Sequence, residues 1–539
     1  MSTNRPTRHV SLVPVALLVL VAAACAGDDG DASSTSDGSE TATVTGEVPA
    51  EAAAIMDGEQ YESSRWLFYV ADAETGEVLL SQRPDEVVFT ASTAKNLTVG
   101  TVYDTLGPDT TLETPVYATT AVADGVVSGD VVLVASGDLA MGGRNATEGR
   151  FDNTFTATSL DHIAAGLAPN ATRIGDPLAG VDDLAEQVAA NGVTRIDGDV
   201  VIDTSLFEDF DPGAGPVTPM YVNDNLLDLE VTLGDNGEPA TVTMTPETSA
   251  FTVEADVEIA DDEDATGLAI VASPEDPTKL TVTGALTTGT SRLAVYPIGD
   301  SATWARHLFI EALERAGVSV AAPVDAPNDQ SQLMESDSYP ADQQLASLTS
   351  PSLGTMGNSI LEMSYNPGAN TFLCLLAVEA GSTDCLTGLD TIYDTAERAG
   401  LDTDELYLAD GAGTDPASAS SRQMSTWAQW SLQQSWGEQF ADGLPKLGQT
   451  GSIAYYGLDG PSVGQVQAKA GTSVAGNPST LRLYVKVQSL SGYLTLDDGR
   501  TAVFTLSMSG ATYPDVYNGL IDSGRDVADV AAIFQQQLS

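Results

Sequence analysis

The stretch Phe89-Thr-Ala-Ser-Thr-Ala-Lys-Asn-Leu-Thr98 sets a serine and a lysine, Ser92 and Lys95, three residues apart at the start of a helix expected over 91–105. Residues so spaced share one helix face. A lysine amine in that position can take the hydroxyl proton and free the serine oxygen to attack a carbonyl carbon. The helix N-terminus adds backbone N–H donors and a positive dipole near the developing oxyanion. The same four residues would also suit a capping serine followed by a solvated lysine, so the rest of the chain has to decide.

Lysine is scarce: the 539 residues include only Lys95, Lys279, Lys446, Lys469 and Lys486. Unlike arginine, lysine loses its proton readily when buried, so it can serve as a neutral base. Lys469 lies in Gln467-Ala-Lys-Ala-Gly-Thr-Ser473, at the end of an expected strand. Gly471 beside it allows a substrate backbone to come close, and Thr472 follows. Ser364-Tyr365-Asn366 is the only S-x-N of the mature chain and sits in a helical context. Its plain alternative is a polar break with an Asx turn ahead of Pro367.

Other chemistries find little support. The three histidines are His9 in the signal segment, His162 in the middle region and His307 in an expected amphipathic helix. A Ser-His-Asp triad is therefore not expected. Cys374 and Cys385 have no histidine nearby and make a poor zinc site. The acidic run Asp261-Asp262-Glu263-Asp264 reads as a solvated loop. No metal and no cofactor is expected.

Asp and Glu number 77 against 21 Lys and Arg, a net charge of -56. Such a chain repels phosphate backbones, which excludes nucleic acid as a partner. The acid is spread along the whole length, as in a surface suited to high salt.

Arg5 and Arg8, the apolar run Leu12 to Ala24 and the small residues Ala22, Ala23 and Ala24 before Cys25 form a secretory signal over 1–25. A small-residue run ending in cysteine resembles the bacterial lipobox, with Ala22 where leucine is usual, and points to lipidation of Cys25. Ordinary cleavage and free secretion is the alternative. Residues 26–58 read as a disordered tether, since 26–50 hold no aromatic residue, Lys or Arg. In an exported protein Cys374 and Cys385 are expected to form a disulfide.

Residues 65–81 alternate around a Glu-Thr-Gly turn as a β-hairpin does. From 111 to 345 the chain is rich in Val, Thr, Gly and Asp and reads as mostly β, with helical patterns at 180–190 and 302–316. Helices are expected at 357–380, 387–399, 422–435 and 524–538, and strands near 465–470, 481–489 and 501–508. The two chain ends, 59–110 and 346–539, would then build one α/β (α+β) domain with 111–345 inserted.

The order S-x-x-K, S-x-N, K-x-G-T is far more specific than any part of it, and it is the motif set of penicillin-binding proteins and serine β-lactamases. The flanks resemble one family in particular, the penicillin-binding D-Ala-D-Ala carboxypeptidase/endopeptidases with a large insertion after S-x-x-K, also called class C low-molecular-mass penicillin-binding proteins. The similar segments run in order: VADAETGEVLLSQRPDEVVFTASTAKNLT, LVASGDLAM, NGVTRIDGDVVIDTSLF, LTSPSLGTMGNSILEMSYN, LADGAGTDPASASSRQM and QVQAKAGTS.

The resemblance implies a β-lactamase/DD-peptidase-like transpeptidase domain with a mostly β insertion. It implies a serine D-Ala-D-Ala carboxypeptidase, with endopeptidase action on cross-linked peptides as a companion activity. Its partners would be the peptidoglycan stem peptide and, as covalent inhibitors, β-lactams, with a membrane reached only through the N-terminal lipid. In this frame Ser92 is the nucleophile and Lys95 its base. Ser364 relays a proton to the leaving amine, Asn366 orients the substrate amide, and Lys469 holds positive potential over the terminal carboxylate. Backbone N–H groups of Ser92 and Thr472 form the oxyanion hole, with Gly471 and Thr472 lining the substrate.

Three positions depart from the family pattern. Ala470 lacks a hydroxyl that could reach the substrate carboxylate. Tyr365 replaces the Asp of S-D-N, and Asn370 replaces a common Glu. Two other readings stay open: a β-lactamase or esterase of the same fold, and a catalytically silent surface binding protein.

Overall fold

The computed structural model describes residues 44–539 except 142, 145, 148–149, 152–159, 166–170, 173–174, 214, 236–237, 261–266, 332, 334–338, 478 and 481. The signal segment and Cys25 lie outside the described residues.

A seven-stranded antiparallel sheet joins the two ends of the chain. Its strands are β1 (Val44–Thr45), β2 (Arg65–Asp72), β3 (Val78–Gln82), β4 (Val466–Gly476), β5 (Leu483–Thr495), β6 (Thr501–Ser509) and β7 (Ala511–Tyr513). They stand in the order β1-β3-β2-β6-β5-β4, with β7 also paired to β5. The expected hairpin is β2–β3, and β4 is an edge strand.

Period-two alternation sorts the side chains between two helical layers. Phe68, Val70, Leu490, Leu494, Phe504 and Leu506 share one buried cluster with Val527, Val530, Ala531 and Phe534 of helix α7 (Val516–Leu538). On the other face Ser425 of α6 (Ser421–Leu432) bonds the Tyr69 carbonyl and the Thr505 hydroxyl. Tyr493 donates to the Ala428 carbonyl of the same helix. Trp427, also on α6, donates to the Asn96 carbonyl on α2 (Lys95–Thr105) at 3.0 Å. The serine and lysine of S-x-x-K thus enter on the α6 side of the sheet. The chain also contains α3 (Leu353–Met363), α4 (Asn366–Glu379) and α5 (Gly388–Arg398).

Several expectations need correction. The tether does not extend to residue 58. Val44–Thr45 pairs with Gln82 and Ser81, and helix α1 (Ala50–Met56) buries Ala52 and Met56 in the cluster shared with α7. Val48, Ile55 and these two supply the apolar surface that the composition of 26–50 lacks. The expected helix 357–380 is two helices, broken at Ser364-Tyr365. The last helix starts at Val516, where Asp515 caps it by accepting from the Asn518 N–H.

Residues 111–345 do not stand apart as one piece. Strands Glu113–Ala118 and Gln344–Thr349 pair antiparallel, so the stretch leaves and returns side by side. Leu226–Ile298, with the described residues of Ser159–Arg173, forms a compact unit of its own. It holds the sheets Thr241–Thr245/Leu226–Thr232/Ser291–Pro297 and Thr252–Ile259/Lys279–Leu286/Gly267–Ala272. The remainder clusters with the rest of the chain, because its apolar residues pack there: Gly137 abuts Leu375 and Thr371, and Tyr221 bonds Thr371 at 2.9 Å. Among the described residues no helix is long and apolar enough to cross a membrane.

Candidate active site

Ser92 lies in a 3₁₀ turn, Ala91–Ala94, and Lys95 opens α2 directly after it. Ala91 is left-handed, with φ of 46°. A residue with a Cβ takes that conformation only where its surroundings impose it. Here two glycines do. A Cβ on Gly413 would collide with the Ala91 carbonyl oxygen, and a Cβ on Gly471 would collide with that of Thr90.

Lys95 is completely buried. Its Nζ lies 2.8 Å from Ser92 Oγ, 2.6 Å from Asn366 Oδ1 and 2.8 Å from the Ala412 carbonyl. When charged, it donates to all three. When neutral, it can accept from the Ser92 hydroxyl. Burial pushes its pKa down to about 7, while the charge of Asp410 pulls the other way.

Asp410 builds the loop that presents Ala412. Its Oδ1 accepts from the backbone N–H groups of Ala412, Gly413 and Thr414 at 2.8–3.0 Å. Its Oδ2 accepts from the Thr414 hydroxyl at 2.6 Å and from Asn370 Nδ2 at 3.4 Å. Asn370 Oδ1 in turn accepts from the Gly411 N–H, and Thr98 donates to the Gly411 carbonyl. The residue in place of the family's Glu therefore ties α4 to this loop.

Lys469 is paired with Ser491 across β4 and β5 and shares its completely buried state. Its Nζ donates to the Ala470 carbonyl at 2.8 Å. Burial drives its pKa well below the usual lysine value, and the nearby Lys95 charge lowers it further. Two ammonium groups this close, with little water, resist being charged together. Ala470 points away from both and packs into the core shared with α7. A hydroxyl there would not face the two lysines.

Ser364 ends α3 in the left-handed region with φ of 60°, Tyr365 caps the next helix, and Asn366 begins α4. The structure thus joins Ser92, Lys95 and Asn366 by hydrogen bonds. Lys469 is coupled to Lys95 electrostatically, and Ser364 stands two residues before the Asn366 contact. On β4 the Ala468 N–H is spent on the Pro445 carbonyl at 2.9 Å. Strand alternation puts the N–H groups of Ala470 and Thr472 on the same outward side of this edge strand. The Thr472 hydroxyl bonds Gln488 at 2.9 Å.

Cys374 of α4 and Cys385 are joined by a disulfide, S–S 1.98 Å. His307 is buried on its helix beside Glu311, and among the described residues no cluster of His, Cys, Asp or Glu is arranged to hold a metal. The sequence reading missed Asp410 and the Ala412 carbonyl. The run Asp-Gly-Ala-Gly-Thr is a recognisable side-chain-capped turn, which was the available signal.

Residues 48–524 match the D-Ala-D-Ala carboxypeptidase 3 (S13) family. A D-alanyl-D-alanine carboxypeptidase of Actinomadura sp. (strain R39) is 25% identical over 497 residues, covering 86% of this chain and 80% of that protein. Penicillin binding protein 4 (dacB) of Haemophilus influenzae has the same fold, with a TM-score of 0.65 at 16% identity over 90% of this chain and all of that one. Its complex with a novel β-lactam superposes with a TM-score of 0.63 at 17% identity and the same coverage. The contact between Ser92 and the buried Lys95 amine, the sheet beside it and the match along nearly the whole length agree: this chain belongs to the D-Ala-D-Ala carboxypeptidase 3 (S13) family and is a serine-type D-Ala-D-Ala carboxypeptidase.

Proposed function

We propose that the protein trims peptidoglycan stem peptides through an acyl-enzyme on Ser92. The observation that carries this is the 2.8 Å contact between Ser92 Oγ and a buried Lys95 amine whose pKa is about 7. Near neutral pH much of that amine is unprotonated and can act as a base.

The neutral Lys95 takes the Ser92 proton as Oγ bonds the carbonyl carbon of the penultimate D-Ala. The backbone N–H groups of Ser92 and Thr472 hold the oxyanion. The C–N bond then breaks, and a proton passes through Ser364 to the departing D-Ala amine. Water attacks the ester, the Oγ–C bond breaks, and Ser92 recovers its proton. The net change is one peptide bond and one water converted to a carboxylate and free D-Ala. Asn366 orients the substrate amide, Gly471 and Thr472 line its path, and Lys469 receives the terminal carboxylate. An incoming carboxylate favours the charged form of Lys469, which burial alone disfavours.

β-Lactams would acylate the same oxygen and remain bound. Intact mass after exposure to benzylpenicillin, with D-Ala release measured on the same sample, tests the reading. Wild type should gain one inhibitor mass and Ser92→Ala none. Equal labelling of both proteins would remove Ser92 from the mechanism.

In this reading the enzyme works in the cell envelope, with 59–110 and 346–539 as the catalytic part and 111–345 inserted. Cys25 carries the lipid anchor, so Cys25→Ala should move the protein from the membrane fraction to the medium. Retention of that variant in the membrane fraction would argue against the anchor.

A further inference from the structure

The loop that begins at Asp410 touches both the nucleophile turn and the edge strand β4. Toward the nucleophile, the Ala412 carbonyl accepts from Lys95 at 2.8 Å and the Ala417 carbonyl accepts from the Thr90 N–H at 2.9 Å. Toward β4, the Ser473 hydroxyl lies 2.8 and 3.0 Å from the two oxygens of Asp415. Lys486 donates to the same carboxylate at 2.6 Å.

Ser473 stands where β4 most needs support. It pairs with Val487, whereas Val474 pairs with Val485, so the register slips and Lys486 is the extra residue of β5. A bulge of this kind disrupts the ladder locally and re-aims a side chain. Main-chain cover on the outer side also ends early. Pro445 and Leu447 bond Ala468 and Val466, and β4 is the last strand of its sheet. Thr472, whose N–H faces the open edge, is steadied by side chains instead. Its own hydroxyl bonds Gln488 across the ladder, and its neighbour Ser473 bonds Asp415 of the loop.

The geometry points to Asp415 as a positioning residue that acts through Ser473 to keep the Thr472 N–H in register with the Ser92 N–H. It touches no reacting atom. Its carboxylate takes the Ser473 hydroxyl, and Lys486 anchors that carboxylate from β5. The turn beneath Ser92 keeps its own bonds to Ala412 and Ala417, so loss of Asp415 displaces only the Thr472 side of the oxyanion hole. This rests on the proposed roles of those two N–H groups.

The test joins rapid-mixing acylation by benzylpenicillin to infrared spectra of the acyl-enzyme. Mixing separates the dissociation constant of the first complex from the acylation rate constant. The ester carbonyl stretch falls in wavenumber as hydrogen bonds to its oxygen strengthen, so it reports on the oxyanion hole itself. Wild type should be acylated at Ser92 and show a lower band than the same adduct after denaturation. Failure of either would strike the acyl-enzyme and oxyanion-hole reading, and would leave Asp415 nothing to position. Asp415→Ala and Ser473→Ala should each slow acylation between about tenfold and a hundredfold, as misplaced groups do, and raise the band toward its denatured position. The first dissociation constant should stay within about twofold. The double variant should be no slower than the slower single one, because both break one linkage. Asp415→Asn keeps an acceptor for Ser473 and should hold acylation within about threefold of wild type. Rates are counted per titratable active site, so partial misfolding does not mimic the result. A wild-type rate and band in Asp415→Ala would overturn the inference. So would a slow Asp415→Ala with an unmoved band, multiplicative losses in the double variant, or an Asp415→Asn as slow as Asp415→Ala.

Discussion

The buried lysines Lys95 and Lys469 and the partly exposed Lys486 show how one side-chain type serves two ends. At the floor of the site, Lys95 and Lys469 are wholly buried, and the acceptors within reach of Lys95 are a hydroxyl, an amide oxygen and a carbonyl. At the rim, Lys486 of β5 lies 2.6 Å from the Asp415 carboxylate, each about one-third exposed. Asp415 also accepts from the Ser473 hydroxyl, next to Thr472 on β4. Neutral partners and burial make a lysine that gives up its proton. A carboxylate near solvent makes one that serves as a clamp.

The contrast breaks most visibly at Lys95. Lys95→Met should lower the acylation rate by about a thousandfold or more, the scale seen when a nucleophile loses its base. In wild type the rate should climb through about pH 7 as Lys95 loses its proton. A flat profile between pH 5 and pH 9 would show that Lys95 is not the titrating base. Gly471→Ala tests the floor by shape instead of charge. Its methyl group would push β4 away from Thr90, and a loss of about a hundredfold in acylation is expected.

A subtler effect concerns stability. An exposed lysine titrates near 10.4, whereas Lys95 does so at about 7. Between these values the unfolded chain holds a proton that the folded chain has released. Stability from this group therefore rises with pH across that window, and the penalty is complete below pH 7. Lys95→Met lacks the effect. Urea unfolding at pH 7 and pH 9.5 should show wild type gaining on the variant by on the order of 1–3 kcal/mol. At the rim, Lys486→Met should cost less than about 1 kcal/mol and leave the pH profile in place. A displaced profile would mean that rim and floor are not electrically separate.

How far these features could be read from the sequence depended on whether their cause is local. The apolar run Trp66 to Val70 and the alternation in Phe504 to Met508 identify the central strands without tertiary information. The three motifs are short runs, so Ser92, Lys95, Asn366 and Lys469 could be singled out from the sequence, and the fold brings Lys95 within hydrogen-bond reach of Ser92 and Asn366. Asp410 was not singled out. Its importance comes from three backbone N–H groups folded around it and from Asn370, forty positions away. The direction of Ala470 was lost for a different reason: a motif fixes residue order, while strand register fixes which face each residue takes. The folded part of the expected tether escaped because the partners of Ala52 and Met56 lie at the other end of the chain.

The nucleophile turn is wedged by Gly413 on one flank and Gly471 on the other, and both press on main-chain oxygens. A single added methyl group already collides at either place, so chance substitution finds no halfway step there. The perimeter is built differently: Ser473, Asp415 and Lys486 meet through side chains alone, so variation there need not move the main chain beneath Ser92.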